Sequence, residues 1–509
     1  MSRRISRPDR RSEDLTGREF SCLLALNRHL FGGRIMHHKS TLFVLFGASF
    51  LGCGGAGAWS GSVDAGVYNQ SPPPACGAGW SSRWTTIDAD GAPNRGEYSF
   101  HPHLAFGRLV VVKNDGAGAI FDICSSSWRK VASGGETTAL GRSWTIGDKL
   151  VFTSHPIEPI KGAILDLERA QYRKFSTSPR ELGAHAVQLA TSKGIFVWGG
   201  GIRRPPPLPR NHIWMDTNEG AWLDVSSGNW HAITTEGAPS PRSKAIGVWT
   251  GKTFVVWGGA TNSQESGASC DHGGSPSNRE CEYFTNGGIY DPATNKWQTM
   301  STKGAPPAMK SSRHLWTGTE MIVWDFPEED LESTRLYAFN PGANQWRVIT
   351  DLPFPRKMET GISAGRIVSI GQGQGVVIDP ATGRKDPIVW PEDFGACKWI
   401  RVAAFEPTRV VVYTPLGCRK GGIAMGGFDP IERRWTTQVL PPLPDQRDDS
   451  RSIDGELIWT GKQLIVWRQS FGGKRRSNGC ENAPRDVGCD PIVVPPVPTD
   501  PGVFIKPDI

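Results

Sequence analysis

Short apolar runs separated by turn residues recur along most of this chain, and the stretch 243–300 shows the pattern in full. Its first part holds two runs rich in β-branched and aromatic residues, which meet at Thr250-Gly251. Its last part holds two more, Gly288–Tyr290 and Trp297–Met300, which flank a turn opened by Asp291-Pro292. Runs bounded in this way by Gly, Pro, Asn and Asp are typical of strands joined by tight turns. The stretch therefore predicts a four-stranded antiparallel unit.

A fixed interval indicates that this unit repeats. Tyr290 is followed by Asp291 and then, seven residues after the tyrosine, by Trp297. Pairs with the same interval, whose first member is again followed by Asp or Asn, are Phe121 with Trp128, Leu165 with Tyr172, Leu223 with Trp230, Phe339 with Trp346 and Phe428 with Trp435. Ile378 and Asp379 open the same turn, but Lys385 stands where the aromatic residue is expected. A constant interval means a constant hairpin length, which keeps both flanking side chains on one face of a sheet.

Eight units of this kind follow one another to the end of the chain, and the eighth lacks its fourth strand. The segment Arg83–Pro93, which precedes the first unit, resembles Lys296–Pro306 at the end of the fourth. An orphan strand at one end and a missing strand at the other are what ring closure requires, and sheets repeated radially form a β-propeller. The predicted fold is all-β: a β-propeller of eight four-stranded antiparallel blades, closed by an N-terminal strand that joins the C-terminal blade. Seven blades is the alternative, because the sixth unit, Met358–Val389, is glycine-rich and degenerate.

Residues 80–509 resemble the kelch family of β-propellers, in the group of the galactose-oxidase central domain. The fourth unit carries every mark of that family, with Gly258-Gly259 after an apolar strand and then Tyr290 and Trp297. The third unit keeps Gly199-Gly200 and Trp230. Copper oxidases of this group use two tyrosines and two histidines, one tyrosine being linked to a cysteine. No matching set is present in this sequence, so the resemblance implies the fold and no oxidase activity.

The N-terminal part predicts export. Residues 1–52 are interpreted as a leader and signal peptide, with a start at Met36 as an alternative, because a basic His37-His38-Lys39 precedes an apolar run and Cys53. That arrangement resembles a bacterial lipobox, which implies lipidation of Cys53 and an outer-membrane lipoprotein. The alternative is an ordinary secretory signal and a periplasmic or extracellular protein. Residues 53–79, rich in Gly, Ala, Ser and Pro, are expected to form a flexible tether before the propeller at 80–509.

The charge of the chain belongs largely to this leader. Of the 57 Lys and Arg and the 50 Asp and Glu, the first 52 residues hold nine and four, so 48 and 46 remain and the net charge falls from +7 to +2. Nucleic-acid binding needs a concentrated basic face. We therefore expect no nucleic-acid partner, and contact with a membrane only through the lipid anchor.

Eight of the ten cysteines remain when Cys22 and Cys53 are set aside. We interpret these eight as structural disulfides, because their number is even in an exported chain. Eight cysteines allow 105 pairings, so the connectivity stays open. The repeat map favours Cys270 with Cys281, Cys397 with Cys418, Cys480 with Cys489 and, by elimination, Cys76 with Cys124. No C-x-x-C motif occurs and the histidines show no metal-ligand spacing, so no metal site and no cofactor are predicted.

Candidate binding groups gather on one predicted face of the ring. The loops between second and third strands and the connections between blades all emerge there, and the longest of them are 199–212, 258–287, 327–334 and 470–501. We call this side the long-loop face and the opposite side the hairpin face. An arginine also recurs in the blade connections, at Arg95, Arg180, Arg242, Arg313, Arg356 and Arg447. These arginines either ring the channel mouth and bind an anion, or tie one blade to the next through backbone carbonyls.

No catalytic constellation emerges from the sequence, and no catalytic residue is assigned. We interpret the chain as a non-catalytic, surface-tethered propeller, expected to be a monomer, that binds a protein or carbohydrate partner through its long-loop face. The alternative is an enzyme that modifies a sugar acid, similar to kelch-type sialic-acid epimerases, in which the channel arginines would hold the carboxylate.

Overall fold

The computed structural model describes the following residues: 85–87, 103–113, 116–133, 140–154, 159–179, 182–183, 185–204, 213–262, 281–326, 332–353, 358–371, 373–394, 400–414, 423–441, 456–467 and 502–505. The predicted leader and tether lie outside these residues. Within the described part of the chain, no helix is long and apolar enough to cross a membrane.

The described residues form eight four-stranded antiparallel sheets, so the predicted all-β propeller is confirmed. Seven of them are built from consecutive stretches of chain, and the eighth is assembled from both ends. The first four blades in chain order are blade 1 with β2 His103–Ala105, β3 Arg108–Val112, β4 Gly118–Asp122 and β5 Ser127–Val131; blade 2 with β6 Leu140–Ile146, β7 Lys149–Ser154, β8 Gly162–Asp166 and β9 Gln171–Lys174; blade 3 with β10 Val187–Ala190, β11 Gly194–Trp198, β14 Gly220–Asp224 and β15 Asn229–Ile233; and blade 4 with β16 Ile246–Trp249, β17 Phe254–Trp257, β20 Gly287–Asp291 and β21 Lys296–Thr299.

The remaining blades follow the same order from the inner to the outer strand. They are blade 5 with β22 Ser312–Trp316, β23 Met321–Asp325, β24 Ser333–Asn340 and β25 Gln345–Pro353; blade 6 with β26 Glu359–Ser363, β27 Arg366–Gly371, β28 Gln374–Ile378 and β29 Lys385–Pro387; blade 7 with β30 Arg401–Phe405, β31 Val410–Tyr413, β32 Ala424–Asp429 and β33 Arg434–Val439; and blade 8 with β34 Glu456–Trp459, β35 Leu464–Trp467, β36 Gly502–Ile505 and β1 Thr85–Thr86. Two further two-stranded sheets join β12 Gly201–Arg204 to β13 Ile213–Asp216 and β18 Ala260–Asn262 to β19 Cys281–Tyr283.

Blade 8 closes the ring in the predicted way. Its outermost strand is the N-terminal β1, in which Thr85 pairs with Phe504 and Thr86 with Val503. Ile87, directly after β1, is buried with Leu109 of blade 1 in one apolar cluster. The same cluster contains Ile465 of blade 8, so the last blade packs against the first.

The core consists of apolar clusters that each lie between two successive blades. Val110 and Leu150, for example, join blades 1 and 2, and Phe196 stacks on Phe254 between blades 3 and 4 with ring centroids 3.8 Å apart. A blade that exposes two apolar faces can bury both only by packing between two neighbours. The sheets therefore depend on one another for burial, which is the source of cohesion in a radial fold.

The repeated interval corresponds to the hairpin between the third and fourth strands. Tyr290 and Trp297 are direct cross-strand partners, with ring centroids 5.2 Å apart. The Asp291 side chain accepts the backbone N–H of Ala293 at 2.9 Å, which closes an Asx turn. The fourth residue after each such Asp or Asn has φ between 50° and 75°, at Ser126, Ala170, Gly228, Asn295, Asn344, Gly383 and Arg433. One local turn geometry thus recurs in seven blades.

The turns between first and second strands lie at the same end of each blade. Thr250 accepts the backbone N–H of Thr253 at 2.9 Å, and Thr317 and Thr460 accept the N–H groups of Glu320 and Gln463 in the same way. Strands in a four-stranded antiparallel sheet alternate in direction, so these turns and the Asx hairpins share the hairpin face. The predicted long loops therefore emerge on the opposite face, although blade 6 has only a short turn there, between Gly371 and Gln374.

Blade 6 lacks the repeat aromatic. Lys385 occupies the aromatic position and pairs with Ile378. A 3-10 helix at Glu392–Phe394 then buries Phe394 against Trp435 of blade 7, with ring centroids 5.7 Å apart. The connection after blade 6 thus adds an aromatic side chain to the apolar cluster between blades 6 and 7.

Candidate functional site

Two β-ribbons rise from the long-loop face and form the core of the candidate site. The ribbon of β12 and β13 leaves blade 3, and the ribbon of β18 and β19 leaves blade 4. The sequence predicts long loops at these places, and in the structure each loop begins with a paired extension. We call the two extensions together the ribbon pair.

A glycine doublet sets the direction of each ribbon. Gly199 and Gly200 have φ of 75° and 91°, and Gly258 and Gly259 have φ of 68° and 89°. Side chains rarely adopt such angles. A Cβ on Gly259 would also lie 2.6 Å from the carbonyl oxygen of Ser243. The kelch-like doublet is therefore the point at which the chain leaves the blade and passes close to the preceding connection.

The two ribbons contact each other directly. Thr261 on β18 donates a hydrogen bond through its hydroxyl to Oδ2 of Asp216 on β13, at 2.7 Å. β18 is also held to the blade connection, because Ala260 and Ser243 exchange two backbone hydrogen bonds of 2.9 Å. The ribbon pair is thus a second layer of hydrogen-bonded structure above blades 3 and 4.

Arg242 lies beneath this layer and ties the two blades together. Its side chain is 1% exposed, and its Nη1 donates to the carbonyl oxygens of Gly258 at 3.0 Å and Asn286 at 3.2 Å in blade 4. Its Nε donates to the carbonyl oxygen of Ser240 at 2.9 Å, and its guanidinium lies over the ring of Phe284, 3.9 Å from the ring centroid. These contacts are those of a structural tie.

The backbone of Arg242 reaches blade 3 in the same way. Its carbonyl oxygen accepts the N–H of Gly200 at 2.8 Å, and its N–H donates to Thr217. Burial lowers the pKa of Arg242 to about 10, although the nearby Glu282 carboxylate acts in the opposite direction. A guanidinium engaged by carbonyls and shielded from solvent is not available to a ligand, so for Arg242 the structure favours the tie over the anion-binding ring.

Arg313 is the other arginine of the predicted ring that the structure describes. It lies on the inner strand of blade 5, is partly buried, and places its guanidinium over the ring of Phe326, 4.4 Å from the centroid. Burial lowers its pKa. Arg95, Arg180, Arg356 and Arg447 lie outside the described residues, so a complete ring stays a prediction.

The cysteines are described in part. Cys124 and Cys281 are disulfide-bonded. Their partners, and the other cysteines of the predicted set, Cys76, Cys270, Cys397, Cys418, Cys480 and Cys489, lie outside the described residues, as does Cys53. Cys281 begins β19, so this disulfide is anchored at the ribbon pair.

A second group of arginines, on the hairpin face, was not anticipated from the sequence. Each follows the repeat aromatic directly and reaches the Asx hairpin of the next blade. Arg129 donates to the carbonyl oxygen of Leu167 at 2.6 Å, and Arg173 donates to that of Val225 at 2.6 Å. Arg347 donates to Pro380 O at 2.7 Å and pairs with Glu320. The signal in the sequence is an arginine immediately after the aromatic residue, and it marks inter-blade ties rather than a binding site.

Among the described residues, no group of three or more His, Cys, Asp or Glu side chains comes together in a way that could hold a metal ion.

No family model matches the chain, and no curated protein matches it. Among solved structures, the chain is similar to a prolyl endopeptidase, with a TM-score of 0.40 and 11% sequence identity over 73% of this chain. The matched part spans 54% of that protein. A likeness of this strength carries no inference about activity.

Proposed function

We propose that this protein is an exported, non-catalytic kelch-like propeller that binds a protein or carbohydrate partner through its long-loop face. In this proposal the chain is held at the outer membrane by a lipid on Cys53, and the ribbon pair makes first contact with the partner. The observation that supports the proposal best is the ribbon pair itself. Structure of this kind is not needed to close a four-stranded blade.

The ribbon pair is pre-ordered, which favours binding. Glycine doublets fix where each ribbon leaves its blade, Arg242 holds the base, and Thr261 and Asp216 join the two ribbons. Groups that are already ordered lose less conformational entropy when a partner binds. Loops on a rigid scaffold commonly carry recognition, and here the loops 205–212 and 263–280 continue directly from the ribbons.

The contacts of Arg242 do not support the sugar-acid enzyme. It requires the connection arginines to hold a carboxylate at the channel, and Arg242 is fully engaged by backbone carbonyls. We therefore keep binding without catalysis as the proposed function.

The proposal is tested by replacing residues 263–280, which include Cys270, the predicted partner of Cys281, with Gly-Ser-Gly in a Cys281→Ser background. The wild-type protein, without its leader, is screened on a glycan array and against a displayed peptide library. We expect ligands from one of the two screens, loss of their binding in the loop variant, and the same melting temperature in both proteins.

A matched control changes the opposite face. Lys252→Glu with Lys462→Glu alters two exposed residues of the hairpin-face turns, and binding should be unchanged. Retention of binding by the loop variant, or its loss in this control, would refute the use of the long-loop face. Absence of any ligand in both screens would refute the binding function.

A further inference from the structure

Two apolar side chains project into solvent where blade 6 meets the Asx hairpin of blade 7. Val389 is 79% exposed, more than any other large apolar residue in the described part of the chain, and Ile431 is 51% exposed. Ile431 lies in the turn between β32 and β33. Val389 lies beside that hairpin, because its carbonyl oxygen accepts the indole N–H of Trp435 at 2.9 Å. Neither side chain belongs to the apolar cluster between the two blades.

Three arginines of the same two hairpins surround these apolar groups. Arg384, in blade 6, is 72% exposed, and Arg433 and Arg434, in blade 7, are 56% and 76% exposed. The Asp386 carboxylate draws the two blades together, since one of its oxygens lies 2.9 Å from Nη2 of Arg384 and the other 3.4 Å from Nη1 of Arg433. The charges of both hairpins therefore belong to one surface. We call it the basic-apolar patch, which consists of Arg384, Val389, Ile431, Arg433 and Arg434.

Most carboxylates of these hairpins are turned inward. Asp379 and Asp429 each accept two backbone N–H groups of their own turn. Asp386 is only 22% exposed, between its two arginines. Glu432, which is 58% exposed, pairs with Arg434. Acidic and basic residues are equal in number in the two hairpins, so the net charge of the chain does not reveal a surface on which the cations project furthest.

Apolar side chains among projecting arginines are the chemistry that a phospholipid membrane recognises. The apolar groups enter the boundary between head groups and acyl chains, while cations are attracted to anionic lipids. The stem of an arginine can cover apolar surface while its guanidinium stays in the polar layer. Guanidinium groups also suit phosphate geometry. Turns that project from a face can make this contact without a cavity.

The direction of β1 agrees with a membrane on this side. β1 is antiparallel to β36, so it runs as the other outer strands do and begins at the hairpin face. The residues before Thr85 therefore join the ring at the face that carries the patch. A lipid on Cys53 would hold the ring from that side. This one argument rests on the proposed function, whereas the composition of the patch does not.

We propose that the basic-apolar patch docks the propeller on a phospholipid membrane that contains anionic lipid. Val389 and Ile431 enter the apolar boundary, and the three arginines contact lipid phosphates. This contact is additional to the proposed lipid anchor. It holds the hairpin face towards the membrane and leaves the long-loop face, with its ribbon pair, open to a partner.

The test uses the mature protein with Cys53→Ser, which carries no lipid, so that docking is measured apart from the anchor. The protein should float with vesicles of equal parts phosphatidylglycerol and phosphatidylethanolamine, and about tenfold less should float with phosphatidylcholine vesicles. Salt should weaken the binding, because it screens the arginines from the lipid charges. Absence of flotation with the anionic vesicles overturns the proposal, whatever the lipidated protein does. Binding of soluble polyglutamate without binding of vesicles also overturns it, and assigns the patch to an acidic polypeptide.

Matched substitutions locate the contact. Ile431→Ser and Arg434→Gln should each weaken binding to the anionic vesicles about fivefold. The controls remove side chains of equal exposure elsewhere: Val348→Ser in blade 5, at 52%, and Arg169→Gln in blade 2, at 75%. Both controls should bind as the wild type does, and all four variants should keep its melting temperature, because every altered side chain is exposed. Unchanged binding by the patch variants, or equal losses in the controls, would contradict docking through this patch.

Discussion

Arg242 shows how one residue can stabilise a whole region of this molecule. Its side chain satisfies carbonyl oxygens of blade 4, and its backbone bonds to blade 3. A buried cation is costly unless its hydrogen bonds are made. Those bonds are made here, and one of them satisfies the carbonyl oxygen of Gly258 in the glycine doublet of blade 4. The arginine and the doublet are therefore parts of one arrangement.

Removal of the Arg242 side chain should destabilise the protein strongly. Arg242→Met removes the side-chain donor to the buried carbonyl oxygen of Gly258 and one of the two donors to that of Asn286, which we expect to cost about 3 kcal/mol. Chemical denaturation followed by tryptophan fluorescence measures the change. The comparison variant is Arg169→Met, which removes an ion pair with Asp166. The Arg169 side chain is 75% exposed, so the loss should cost less than about 1 kcal/mol. Equal effects of the two would show that the tie contributes little.

The role of Arg242 was only half predictable from the sequence. The recurrence of Pro and Arg before the inner strands identifies the residue, but it fits a structural tie and an anion site equally well. The choice depends on whether the side chain turns into the blade or into the channel. That direction follows from the contact with Phe284, which lies 42 positions further along the chain and has no fixed spacing to the arginine.

At the scale of elements, the hairpins were predictable because their signals are local. Asp291 and Trp297 lie within one turn and its two strands, so their spacing reports the geometry directly. The ribbons were not predictable from such signals. β12 and β13 are separated by a proline-rich segment, and β18 and β19 by eighteen residues. Pairing across such distances leaves no fixed interval in the sequence.

Two alanine substitutions can distinguish the cost of a positive φ from the cost of steric contact with neighbouring backbone atoms. Gly259→Ala and Gly318→Ala both place a side chain at positive φ, of 89° and 98°, which costs about 1 kcal/mol or more. Only Gly259 has atoms within contact range of the new Cβ, since Gly318 has nothing within 4 Å. We expect Gly259→Ala to be less stable than Gly318→Ala by roughly 2 kcal/mol. Urea denaturation of the two variants gives the difference, and equal stabilities would mean that the ribbon base adjusts freely.

At the scale of the whole molecule, stability depends on closure. Each blade buries both faces between neighbours, and blade 8 is completed by strands from both ends of the chain. Loss of one strand of blade 8 therefore exposes apolar surface on blades 7 and 1 as well. The cost is distributed around the ring rather than confined to one sheet.

Truncation tests this dependence. A chain that ends before Gly502 lacks β36, the strand that pairs with both β35 and β1. We expect its melting temperature to fall by at least 10 °C, because loss of several kcal/mol lowers the melting temperature of even a large domain by about that amount. The matched control ends after residue 505 and keeps the strand, and its melting transition, followed by circular dichroism, should be that of the full chain. An unchanged transition in the shorter chain would show that the ring does not need its closing strand.

The pairing of Thr85 with Phe504 also has a consequence for the order of events during synthesis. The first seven blades are complete as soon as their own consecutive residues have been made, but β1 has no partner until the last strand has emerged. Meanwhile β35 presents an open edge, and such edges pair readily with any extended chain. A second copy that has reached the same stage offers the matching strand. A delay before β36 pairs with its own chain therefore favours exchange of β36 between two molecules. Rapid release of the C-terminus favours pairing within one molecule instead.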